Sequence, residues 1–107
     1  MAEEMSKMLE QLQQLQEGMA RVQQELSSLT VSAESGGGMV KVTANGKQQI
    51  VKVEIEKEAI DPTDAEMLED LIVAAVNRAL EHARELSESR MNEAARSMLP
   101  PGFPPIA

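Results

Sequence analysis

A chain of 107 residues with one Phe, no Trp and no Tyr is a single domain whose core must come from Leu, Ile, Val, Met and Ala; with no Cys it has no disulfide or thiolate chemistry. A net charge of −8 argues against a generic polyanion binder, because phosphate contacts come from Lys and Arg. The acidic start and the lack of any apolar run near the ~20 residues of a membrane span point to a cytoplasmic protein without a membrane segment.

The first element is a long helix. Met5, Met8, Leu12, Leu15, Met19, Val22, Leu26 and Leu29 follow one another at alternating steps of three and four, a heptad seam with Gln, Glu, Lys and Arg between. No Pro interrupts it, and Gly18 weakens it by about 1 kcal/mol relative to Ala. A helix over roughly residues 3–29 is about 40 Å long. Such a seam needs a partner, either a second helix or another chain. The Gln-rich polar face reads as a solvated surface.

Three strands follow. Thr30 to Ser35 alternates weakly and reads as the first. Gly36-Gly37-Gly38 then breaks the chain. A phosphate-cradling loop would need Lys-Ser or Lys-Thr and a helix beyond; a strand-like Met-Val-Lys-Val-Thr follows instead, so the glycines are a turn or hinge. Met39 to Ala44 reads as the second strand, with Val40, Val42 and Ala44 on one face. Asn45-Gly46 predicts a two-residue type I′ hairpin, with Val40 opposite Val51 and Val42 opposite Gln49. Val51, Val53 and Ile55 then join the apolar face, and Lys41, Thr43, Lys52, Glu54 and Glu56 the other. A three-stranded meander with one apolar face is unstable alone, so helices must cover it. Its outermost strand leaves an edge that a second copy can pair with.

Charge is uneven along the chain. Residues 1–29 carry five Glu against Lys7 and Arg21. Residues 30–60 balance four Glu with four Lys. Residues 61–107 carry nine acids against Arg78, Arg84, Arg90 and Arg96. The sheet is the least acidic part.

The second helix is expected to start with Asp61 as cap and Pro62 in the first helical position, or with Thr63 as cap and Glu66 three residues on. The dense carboxylates here suit the positive end of the helix dipole; with no His beside them they are not read as a metal or acid–base site. Leu68, Leu71, Ile72, Ala75, Val76, Ala79, Leu80, Ala83 and Leu86 form a broad apolar stripe whose many Ala allow close approach. His82, on the border of that stripe, reads as structural. Arg78, Arg84, Arg90 and Arg96 recur every six residues and wind around the helix, so they form no basic stripe. From Ser87 the helix should project into solvent until Pro100-Pro101 ends it, leaving a Pro-rich tail with the one aromatic residue, Phe103.

Several segments together resemble one family: the Gln-rich heptad helix, Glu34-Ser-Gly-Gly-Gly-Met-Val-Lys-Val-Thr-Ala-Asn-Gly46, Val53-Glu-Ile, Asp64-Ala-Glu-Met-Leu-Glu-Asp-Leu-Ile-Val-Ala-Ala-Val-Asn-Arg-Ala79 and Leu99-Pro-Pro-Gly-Phe103. They look like the YbaB/EbfC family of bacterial nucleoid-associated proteins, over nearly the whole chain. The resemblance implies an α+β subunit in the order α-β-β-β-α, with one domain over 1–99 and a tail over 100–107. It implies a homodimer formed through the sheet region, with paired helices as tweezer-like arms, that binds DNA and affects nucleoid organisation and gene expression. It carries no catalytic residue, cofactor, metal or small-molecule substrate. The family attributes DNA binding to the arms, where the cations of this chain are Lys7, Arg21, Arg84, Arg90 and Arg96. The alternative is an acidic protein-interaction adaptor with weak or no DNA binding, docking through the heptad seam, the methionines and the tail. An enzyme lacks support from any nucleophile–base pair, metal cluster or phosphate loop.

Overall fold

The structure, a computed structural model, describes residues 1–98. The expected domain boundary at 99 and the Pro-rich tail over 100–107 lie outside the described residues. Helix α1 runs Ala2–Ser28. Strands β1 (Thr30–Ser35), β2 (Val40–Asn45) and β3 (Ile50–Ile55) follow. After a short 3-10 turn at Lys57–Ala59, helix α2 runs Ala65–Met98. The strands form one antiparallel sheet in the order β1-β2-β3. The sequence expectation of a helix, a three-stranded antiparallel sheet and a second long helix is met.

The core lies between α2 and the sheet. Ala75, Ala79 and Ala83 recur every four residues on one face of α2 and have no exposed surface. Their single methyl groups let the helix press onto Ala33, Val40, Val42 and Ala44. Val40 and Val42 are also fully buried, each contributing about 1.5–3 kcal/mol of hydrophobic stabilisation. Leu68, Leu71, Ile72 and Val76 pack around this centre. The close approach also reaches the β1–β2 turn. Gly36 has φ +62°, and a Cβ there would lie 2.8 Å from Leu71 Cδ2. The Ser35 hydroxyl donates to the Leu71 carbonyl at 2.6 Å. The three glycines thus form a left-handed turn, with φ of 62°, 67° and 95°.

The second hairpin departs from expectation. Val40 pairs with Ile55 and Val42 with Val53, where Val51 and Gln49 were expected. The register differs by four residues, an even number, so Val53 and Ile55 keep the face assigned to them. An irregularity follows, since Thr43 pairs with Lys52 but Ala44 with Ile50, which leaves Val51 as the extra residue. The reason lies in Asn45 and Gly46, which do not form a two-residue loop. Asn45 ends β2, and its buried side chain accepts from the N–H groups of Lys47 at 2.9 Å and Gln49 at 3.2 Å. Gly46 is needed for contact, because a Cβ would lie 2.6 Å from Leu26 Cδ2 and 2.9 Å from the Leu26 carbonyl oxygen. The positive φ falls on Gln48, at 62°.

The start of α2 also differs from both expected caps. Asp64 is the cap, its carboxylate accepting from the Met67 N–H at 3.2 Å. Asp61 instead closes the preceding turn, accepting from the Thr63 N–H at 2.9 Å and hydroxyl at 2.7 Å. Those bonds, the hydroxyl's first, hold the Asp61 carboxyl below its ordinary value.

Coverage of the sheet is lopsided. Helix α2 lies over β1 and β2 and barely touches β3. Val51 and Val53 stay 54% and 43% exposed while Ile55 packs on the core, so the expectation that the helices cover the whole apolar face is met for β1 and β2 but on β3 only at Ile55. The two edges differ as well. On the β1 edge, Arg78 donates to the Glu34 carbonyl at 3.0 Å, and His82 Nδ1 lies 3.2 Å from the Ser32 carbonyl oxygen. Side chains of α2 therefore occupy two outward carbonyls of β1, which gives His82 the structural role expected of it.

Candidate nucleic-acid interface

Beyond the sheet, α1 and the C-terminal half of α2 run alongside each other. Gly18, Arg21, Val22 and Glu25 of α1 meet Arg90, Glu93, Ala94 and Ser97 of α2 across an open cleft. Gly18 therefore lies beside the last described turn of α2, and the residues of α1 before it reach further. There the seam loses its cover: Met5, Met8, Leu9, Leu12 and Leu15 are exposed, whereas Val22 and Leu26 are buried. Among the described residues, the second helix is the partner that the seam required for its C-terminal half only.

The five candidate cations fall into three settings. Arg84 is engaged on both sides. Its guanidinium donates to both Glu81 carboxylate oxygens, at 3.2 and 2.5 Å, and to Glu88 at 2.6 Å. The hydrogen bond to Glu81, then the charges of Glu81 and Glu88, hold Arg84 yet more firmly protonated than usual. The same bond keeps the Glu81 carboxyl below its ordinary value. Arg90 and Arg96 stand among acids: Arg90 is 3.9 Å from Glu93, and Arg96 shares a surface groove with Glu85, Glu88 and Glu93. Lys7 and Arg21, both on α1 and exposed, make no ion pair among the described residues. Arg21 and Arg90 are the two candidates brought together, on opposite walls of one cleft. Lys7 stands apart on the uncovered end of α1.

These partners explain how an arm can carry arginines and remain acidic. Glu81–Arg84 and Arg84–Glu88 are helical neighbours three and four residues apart, spacing at which opposite charges meet. The sequence showed the six-residue arginine recurrence but not this neutralisation, though the i,i+3 and i,i+4 acids were there to be read.

The family model of the YbaB/EbfC DNA-binding family matches residues 1–98, all of the described chain. The chain belongs to that family. The YbaB/EbfC family is non-enzymatic. Among similar proteins, a nucleoid-associated protein of Pelotomaculum thermopropionicum is 48% identical over 99 residues, covering 92% of this chain and 94% of its own. One of Moorella thermoacetica is also 48% identical over 99 residues, covering 92% and 95%. The crystal structure of an uncharacterized protein from Helicobacter pylori superposes with a TM-score of 0.70 at 22% identity, covering 88% of this chain and 96% of that one. That likeness is one of fold.

Proposed function

We propose that this YbaB/EbfC chain is a non-enzymatic homodimer that binds DNA at the bacterial nucleoid, within the cytoplasm, and so influences nucleoid organisation and gene expression. The observation that carries the DNA reading is the family match over residues 1–98. The names of the nucleoid-associated relatives support the location. For the homodimer, the support is the contrast between the sheet edges. Two outward carbonyls of β1 are occupied by Arg78 and His82, while β3 carries exposed Ile50, Val51 and Val53 beside an edge with no strand partner among the described residues. An apolar edge of this kind is removed by pairing with another chain, and a second copy is the simplest one. The arms of the two copies then project as a tweezer-like pair.

In this reading Lys7, Arg21, Arg90 and Arg96 contact backbone phosphates. Arg84 joins them only when a phosphate displaces Glu81 and Glu88. A mobility shift on duplex DNA repeated across salt tests the reading: log K should fall linearly with log salt. No shift at micromolar protein and low salt would sink it. Sedimentation tests the dimer, for which a mass near one 11.7 kDa subunit at micromolar concentration counts against it.

One observation favours the adaptor reading, the exposed Met5, Met8, Leu9, Leu12 and Leu15 on α1. An apolar stripe on an acidic arm suits a protein partner better than a phosphate backbone. The same shift assay separates the two, since an adaptor shows no salt-dependent DNA complex.

A further inference from the structure

The 18 acids of the chain leave their longest gap in the sheet. Residues 35–53 contain Lys41, Lys47 and Lys52 and no Asp or Glu. This acid-free run covers β2, the β2–β3 turn and most of β3. Its lysines are not equivalent. Lys41 pairs across the sheet with Glu34 and Glu54, and Lys52 lies 3.4 Å from Glu54. Lys47, at the turn, is exposed and makes no ion pair among the described residues.

The turn is also tightly built. Its four N–H groups are used internally. Gly46 donates to the Leu26 and Leu29 carbonyls at 2.8 and 3.0 Å, which fixes the turn to the end of α1, at the root of the arms. Lys47 and Gln49 donate to the Asn45 side chain, and Gln48 to the Asn45 carbonyl at 3.0 Å. Asn45 Nδ2 in turn donates to Gln49 Oε1 at 2.8 Å. That bond occupies the acceptor of the Gln49 amide and leaves its NH₂ as a donor. Gln48 is held at φ 62°, a conformation uncommon for a residue with a side chain. With the backbone satisfied, what the turn offers a ligand is the Lys47 ammonium and the Gln48 and Gln49 amides, all exposed. Side-chain donors of these types contact phosphate oxygens.

We infer that the Lys47-Gln48-Gln49 turn is a second contact for the DNA phosphate backbone, at the root of the arms and separate from the arm arginines. The inference rests on the DNA-binding reading. It accounts for a feature the arms leave unexplained, namely how an acidic family member holds a polyanion: the contact stands in the longest stretch of the sequence without Asp or Glu, on a lysine with no ion pair among the described residues. Rigidity adds to it, because a preordered turn loses less entropy on binding than a mobile loop.

The test is DNA affinity across salt for the full chain and for Lys47→Gln, with circular dichroism as the control for folding. Losing one phosphate contact should flatten the slope of log K against log salt by about 0.9 per engaged turn and weaken binding roughly fivefold at 0.15 M salt. An unchanged slope and affinity in Lys47→Gln, with the unaltered chain binding normally, overturns this inference and leaves the arms as the site. Failure of the unaltered chain to bind at all would remove the DNA reading itself. Amide NMR gives a second readout. Gly46 to Ile50 should shift on addition of a duplex; shifts elsewhere with none in this turn also overturn the inference.

Discussion

Leu26 and Leu12 occupy equivalent positions on one heptad seam, two heptads apart, yet Leu26 is 1% exposed and Leu12 is 54%. The difference belongs to their surroundings. Leu26 lies where α1 meets Gly46 and the sheet, while Leu12 precedes the cleft in which Gly18 meets the last described turn of α2. The same division runs through the charges. At the sheet end, within an acid-free stretch, Lys47 has no ion pair among the described residues; along the arm Glu81 and Glu88 enclose Arg84. A periodic pattern thus states what an element needs, and the rest of the chain decides how much of that need is met internally.

Two substitutions on the one seam sharpen this comparison most. Leu26→Ala should cost about 2–5 kcal/mol, the range for emptying a fully buried Leu site. Leu12→Ala should stay within about 0.5 kcal/mol, as at an exposed surface position. Urea unfolding of both variants measures the difference. A large loss for Leu12→Ala would show that another chain covers the arm end in solution, and the two halves of the seam would then be alike. Gly46→Ala comes next, at about 1–3 kcal/mol, because the added methyl must displace Leu26 or the backbone behind it. A neutral result in the same measurement would mean that the sheet end is packed more loosely than its geometry indicates.

Much of this fold was legible. Val40, Val42 and Ala44 alternate, Ala75, Ala79 and Ala83 recur every four residues, and both sets form the core. What escaped was settled by contacts far apart in sequence. Asn45-Gly46 has the strongest local signal for a two-residue turn, yet the approach of Leu26 claims Gly46 and the turn moves to Gly46–Gln49. Asp61-Pro62-Thr63-Asp64 holds three capping residues, and local pattern could not say which starts α2; Asp64 does. The exposure of β3 was hidden too, because Val51, Val53 and Ile55 carry the same apolar signal whether or not a helix covers them. For the site, the family resemblance pointed to the arms, and residue type then named their cations. Their ion pairs separate Arg84 from Lys7 and Arg21, and that distinction follows from helical spacing taken together with rotamer geometry.

The smallest effect tests the electrostatic side of the comparison. If Arg84 is held back from DNA by its acids, Glu81→Gln with Glu88→Gln should release it. Affinity should rise a few-fold, and the salt slope should steepen by about 0.9 per arginine gained. The control is Glu10→Gln with Glu17→Gln, which removes the same charge from α1, where neither acid makes an ion pair among the described residues. That pair should raise affinity through weaker repulsion while leaving the slope nearly unchanged. Equal slopes for the two pairs would mean that Arg84 does not reach DNA even when released. Acid acts in the same direction as the first pair. The Glu81 carboxyl is held below its ordinary 4.5 by Arg84, so the bridge contributes above the unfolded value and is lost only as pH falls through the lower, folded one. Glu81 therefore keeps Arg84 engaged throughout the neutral range, and a gain in Arg84-dependent binding on acidification should appear only below pH 4.5.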